Sequence, residues 1–207
     1  MDDQSFRLGD HGRYPAKEIR MHLERQLERL LEYGIALSEG VSVDDLLDAW
    51  PRDRYETEPF RLLITWLGAE MDREPWVFSP NVLTLDCECI DDGGSYVSLI
   101  DDICELASAK DYVVEVSDSI DFENDVGWIT CKIDGKQHKW HVEVRRDWAD
   151  TVALAKVMAK IERNEKHFYK FDDDGQGLTL LYLNDSDATT LAALTNQTFT
   201  PMAKFPG

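Results

Sequence analysis

Between Asp86 and Asp125 the chain holds thirteen carboxylates and one basic side chain, Lys110. Carboxylates in such number can bind a divalent cation, exchange protons in pairs, or attract a basic partner. The first two need a defined spacing. No distinctive spacing occurs in the window, so abundance by itself is no evidence for either, and the two readings it supports are attraction of a basic partner and a solvated, solubility-promoting surface. The whole chain carries 41 Asp and Glu against 22 Lys and Arg, so this window supplies twelve of its nineteen net negative charges. Asp91, Asp92, Asp118, Asp121, Glu123 and Asp125 fall in expected turns and loops, where binding residues are commonly displayed, and are the candidate partner-binding acids.

Other constellations fall short of catalysis or metal binding. Asp172–Asp173–Asp174–Gly175 is contiguous, lacks the alternating ligands of an EF-hand, and sits between expected strands, so it reads as a hairpin turn. Cys87 and Cys89 would point to the same face of a strand, but Cys-x-Cys alone is far from a zinc site, and buried thiols are expected. Cys104 lies among Asp101, Asp102 and Glu105, whose charge disfavours a thiolate nucleophile. Gly93–Gly94 precedes a helix, yet the surrounding aspartates oppose anion binding there. His138 and His141 are three apart and would face opposite sides of a strand. There is no Walker loop, nucleophile elbow, His-Glu-x-x-His or dinucleotide fingerprint. No catalytic residue, cofactor or metal is expected.

At 207 residues with 43% hydrophobic content, six Trp, seven Tyr and eight Phe, the chain can bury a substantial core. The absence of a basic footprint argues against nucleic acid or anionic lipid as partners. The first residues have no secretory pattern and no apolar run is long enough to span a bilayer, so a cytoplasmic location is expected.

The elements that must carry these residues follow from periodicity. Ile19, Leu23, Leu27 and Leu30 recur as a helix stripe, widened by Leu31. Ser42 and Asp45 form a capping pattern before a short helix stopped by Pro51, and a third helix is expected from about Pro59. "NVLTLDCECI" alternates as a strand. "SYVSLIDDICELASA" reads as a helix with Val97, Ile100, Cys104 and Ala107 on one face, and "YVVEV" as a strand. "GWITCKIDGKQHKWHVEV" reads as a hairpin turning at Asp134–Gly135, with Ile129 opposite Trp140 and Cys131 opposite His138. Ile129, Cys131, Ile133, Trp140, Val142 and Val144 then share the core face. Trp128 and His141 fall on the other face, where Trp128 is either covered by the N-terminal helices or exposed as a binding anchor. A helix capped by Asp147, with Val152, Ala155, Met158 and Ala159 inward and Trp148 packed at its start, precedes a second hairpin, "HFYKF" and "LTLLYL". A short helix closes the order.

The expected fold is α+β: N-terminal helices, then a mostly antiparallel sheet with helices packed on one side. A helical segment, 1–78, and a sheet domain, 79–207, are expected to form one compact unit.

The string from Asp121 to Asp150, followed by "FDDDGQGLTLLYLNDSDATTLAAL", resembles bacterial immunity proteins that neutralise polymorphic toxins, including those of Rhs and type VI secretion effectors. The resemblance is carried by Trp128, Asp134–Gly135, Trp140, Asp147–Trp148, Asp174–Gly175–Gln176 and Leu181–Tyr182–Leu183, within about the C-terminal 125 residues. It implies a non-enzymatic inhibitor that binds one cognate toxin, and it supplies no catalytic residues. Many toxins that attack nucleic acids or nucleotide cofactors carry positive active-site clefts, which an acidic surface can occupy. The expected partner is therefore a toxin with a basic surface, met by the six acids with Trp128 and His141. The alternative from another class is a small-ligand-binding or enzymatic domain with a pocket between the helical segment and the sheet.

Overall fold

A computed structural model describes residues 20–171 and 177–204. Ile19 and the residues of the expected Asp172–Gly175 turn lie outside the described residues. The helices are α1 (Leu23–Leu31), α2 (Val43–Ala49), α3 (Arg52–Thr57), α4 (Arg61–Leu67), α5 (Ser95–Leu106), α6 (Thr151–Ile161) and α7 (Asp185–Thr195). The strands are β1 (Val82–Leu85), β2 (Val113–Asp121), β3 (Val126–Ile133), β4 (Lys136–Glu143), β5 (Lys166–Phe171), β6 (Leu178–Asn184) and β7 (Phe199–Pro201), and a short 3₁₀ turn, Met202–Lys204, follows.

The fold is α+β with antiparallel pairing throughout. The strands divide into two sheets, β1-β6-β5-β7 and β2-β3-β4. Both faces of the four-stranded sheet are covered, which explains the almost continuous apolar run of β6. Leu180 and Phe168 point into a core shared with α5, α6 and the three-stranded sheet. Leu181, Leu183, Tyr169 and Phe171 point the other way, into a core built by α1, α2, α4 and α7. Helices α5 and α6 thus lie between the sheets, and among the described residues they pack on one face of the three-stranded sheet.

Local chemistry accounts for most element ends. The Asp45 carboxylate accepts the Ser42 amide at 2.8 Å and the Ser42 hydroxyl at 2.9 Å, closing the expected capping arrangement of α2. Helix α4 ends at Gly68, where a Cβ would stand 2.6 Å from both the amide nitrogen and Oγ1 of Thr84. Only glycine permits that approach of helix to strand. The β3–β4 hairpin turns through Asp134 and Gly135, both at positive φ, with Ile129 opposite Trp140 and Cys131 opposite His138 as expected.

Several expectations are corrected. Leu31 is exposed, and the buried stripe of α1 is Leu23, Gln26 and Leu30. Gln26 is buried because its amide is fully used: it donates to the carbonyls of Met21 and Tyr55, each at 2.8 Å, and accepts the Phe60 amide at 2.7 Å. Pro51 ends α2 but also opens α3, an extra helix, in keeping with the tolerance of proline ahead of a first turn. Strand β1 stops at Leu85, so Cys87 and Cys89 lie in the following connector, the first buried and the second half-buried. The buried face of α5 is Tyr96, Leu99, Ile100, Ile103 and Cys104, leaving Val97 at its margin. Helix α6 is capped by Asp150, not Asp147, and Ala159 is exposed. Trp140 and Val144 are half-buried at the edge of the core face.

Candidate functional site

The acidic window divides into carboxylates that build the fold and carboxylates left to solvent. Asp118 belongs to the first group. It projects from β2 toward the start of α5, where it accepts the amides of Gly94 at 2.7 Å and Tyr96 at 2.9 Å. Helix α5 starts with Gly94 in a left-handed conformation and no capping side chain of its own, so a neighbouring strand supplies the acceptor its first amides need. The network continues. The Tyr96 hydroxyl accepts the Asp150 amide at 2.8 Å, and the Asp150 carboxylate accepts the amides of Val152 and Ala153, each at 3.0 Å, and of Glu143 at 2.8 Å. The starts of both central helices are thereby tied to β2 and to the end of β4. Burial is the main reason the Tyr96 hydroxyl is pushed up to about 12, so it stays protonated at neutral pH.

Asp121 also has a structural task. Its carboxylate accepts the side-chain amide of Asn124 at 2.8 Å and the backbone amides of Glu123 at 3.0 Å and Asn124 at 3.1 Å, shaping the β2–β3 turn. The Asn124 contacts, side chain first, lower its pKa. Asp101 and Glu105 hold Lys110 at 2.9 and 3.0 Å, and Glu115 holds Lys132. By contrast, the exposed side chains of Asp91, Asp92, Glu123 and Asp125 make no hydrogen bond or ion pair among the described residues.

The β2–β3 turn brings Glu123 and Asp125 of this second group next to apolar surface. Asp121 stands opposite Val126, and Val126 opposite Glu143, at one end of the three-stranded sheet. Phe122 follows at the hairpin tip. Two residues beyond Glu143, Arg145 bridges to Trp148, which also bridges to Glu88. Phe122, Val126 and Trp148 are 42%, 39% and 37% exposed, three of the six large hydrophobic side chains exposed among the described residues. Trp148 was expected in the core and is instead exposed, in the connector between β4 and α6 whose backbone bridges to Glu88. Phe122 and Val126 were missed from sequence, although an aromatic residue between Asp121 and Glu123 in a charged turn is itself a signal.

Trp128 and His141 sit one row further along the outer face, opposite one another with ring centres 5.1 Å apart and nearly perpendicular. The Lys139 ammonium lies 4.1 Å from the centre of the Trp128 ring. Among the described residues the N-terminal helices pack in the other core, against the four-stranded sheet, and Trp128 is half-buried beside its strand neighbours. The outer face therefore unites Asp121, Trp128 and His141 with Val126. Asp118 points to the opposite face, and Asp91 and Asp92 stand beside it in the loop before α5. Asp118 differs from its acidic neighbours in being half-buried and engaged in the cap of α5.

Several side chains of types that can act on a substrate make fixed contacts or are buried. His138 stacks on Trp140 with ring centres 5.4 Å apart. His167 pairs through Nδ1 with Glu162 at 2.9 Å. Burial is the main cause that pushes the Cys104 thiol up to about 12 and the Cys131 thiol up to about 11, disfavouring the thiolate at neutral pH. Among the described residues no three His, Cys, Asp or Glu side chains are grouped to hold a metal ion, and no helix is long and apolar enough to cross a membrane. Neither family models, nor curated proteins, nor solved structures give a match to the chain.

Proposed function

We propose that this protein is a non-catalytic inhibitor: an immunity protein that binds a cognate bacterial toxin and occludes its basic substrate-binding site. The observation that carries the reading is the end of the three-stranded sheet, where exposed Phe122, Val126 and Trp148 lie near Glu123 and Asp125, which have no cation of their own among the described residues, and near Glu143, which is paired with Arg145. Exposed apolar groups rimmed by charge are what a protein interface needs, since the apolar anchors supply the affinity and the charges the orientation and the on-rate. The structural network from Asp118 to Asp150 holds that end rigid, which lowers the ordering cost of binding.

The test is co-expression with the toxin domain encoded beside the gene for this protein. Cells that die with the toxin domain alone survive when this chain is present, and the purified pair forms a stable complex. Absence of a neighbouring toxin domain, or death despite expression of the folded chain, overturns the reading.

A further inference from the structure

A second surface lies away from the hairpin end. Between the 70–80 connector and α5 is an open groove of about 570 Å³, with Met71, Trp76, Val82 and Leu106 among its apolar lining. Trp76 is 60% exposed, a large aromatic surface left to water in a segment held by backbone hydrogen bonds such as Met71 to Trp76 at 2.7 Å. Three carboxylates also line the groove. Glu70 comes from the connector, and Asp102 and Glu105 come from α5. Glu105 shares Lys110 with Asp101, but Glu70 and Asp102 have no ion pair among the described residues.

We propose that this groove takes an extended basic segment of a partner protein, with an arginine or lysine between Glu70 and Asp102 and its apolar neighbours against Trp76 and Met71. Charge complementarity selects the occupant. An anionic segment would add like charge beside two carboxylates that have no ion pair among the described residues, and a purely apolar one would bury them without a partner. A cationic side chain relieves their repulsion, and Trp76 offers its ring to the cation or to the neighbouring apolar residue. The open shape suits a chain passing through, not an enclosed small molecule.

The groups acting on Asp102 support this polarity. Partial desolvation, then the fields of Asp101, Glu70 and Glu105, push its carboxyl up to about 6, against the opposing pull of Lys110. The residue as a whole remains exposed, so solvent still reaches the site. A cation in the groove favours the ionised form, and affinity for it falls as pH drops through that value. The inference is independent of the toxin-binding reading, which concerns other residues.

The experiment titrates the full chain, isotopically labelled, with the capped peptide Leu-Arg-Leu-Arg-Leu, the same peptide carrying Glu for Arg, and free arginine, following amide and indole resonances by NMR. The expected result is shifts at Glu70, Trp76, Asp102 and Glu105 with the Arg peptide and none with the Glu peptide. Asp102→Asn weakens binding roughly three- to fivefold and removes its dependence on pH near 6, and Trp76→Ala weakens it roughly tenfold. The proposal is overturned by no shifts in the groove at millimolar Arg peptide, by equal binding of the Glu peptide, or by a pH response unchanged in Asp102→Asn. Free arginine binding as tightly as the peptide reassigns the groove to a small organic cation, and equally overturns it.

Discussion

The carboxylate of Asp118, on β2, accepts the amide of Tyr96 in the first turn of α5 at 2.9 Å. A residue in the most acidic part of the chain is thus a helix cap supplied from a different element. Replacing Asp118 with Ala removes a charged acceptor from two backbone amides and is expected to cost about 1–3 kcal/mol, measured by denaturant unfolding. A loss below about 0.5 kcal/mol, the range of an ordinary surface substitution, would mean that the cap is not formed.

The unpaired acids should behave in the opposite way. Neutralising Asp91, Asp92, Glu123 and Asp125 together, to Asn or Gln, should leave stability within about 0.5 kcal/mol for each position. Association with the toxin domain identified by co-expression should slow, and its salt dependence should flatten, because steering is lost. Binding that is unchanged at every salt concentration would reduce these acids to a solvated surface.

The apolar anchors make a separable contribution. Phe122→Ala should leave the melting curve near that of the parent, since the ring is already exposed, while complex dissociation accelerates by the equivalent of more than about 1 kcal/mol. If Phe122→Ala binds like the parent and Trp128→Ala does not, the partner reads the middle of the outer face and not the hairpin tip.

Trp140 is half-buried against the core and stacked on His138. Trp140→Ala is therefore expected to cost about 1.5–3 kcal/mol, less than the roughly 3–5 kcal/mol of a fully buried indole. Chemical denaturation of the variant measures it, and a value above that range would place the indole fully within the core.

Asp102 has a pH signature in stability as well. Its folded pKa of about 6 lies above the ordinary 3.8, so the folded chain holds this proton more tightly than the unfolded chain does. That contribution is present below the ordinary value and is lost as pH rises through about 6. Asp102→Asn, which resembles the protonated form, should therefore raise the melting temperature at neutral pH and leave it nearly unchanged at about pH 4. Destabilisation at neutral pH would reverse the assignment.

The β3–β4 hairpin was legible residue by residue. Its register follows from alternating side chains and from Asp134–Gly135, the pair suited to a turn with both φ values positive. The Ser42–Asp45 cap and the α+β class were legible for the same reason: each depends on neighbours a few residues apart. The outward face of Trp128 and His141 followed from register too, but whether anything covers that face did not. Partner choice over long separations settled the rest. Val82 pairs with Leu181, which assigns β1 to one sheet while β2 joins the other, and β7 docks on β5 from the far end of the chain. The same distance hid the cap from Asp118 to α5 and the groove between the 70–80 connector and α5. A carboxylate two elements away becomes a structural cap, or stays free to meet a partner, according to where the packed cores carry it. Charge and spacing along the chain are the same in either case, so composition alone could not sort Asp118 from Glu123.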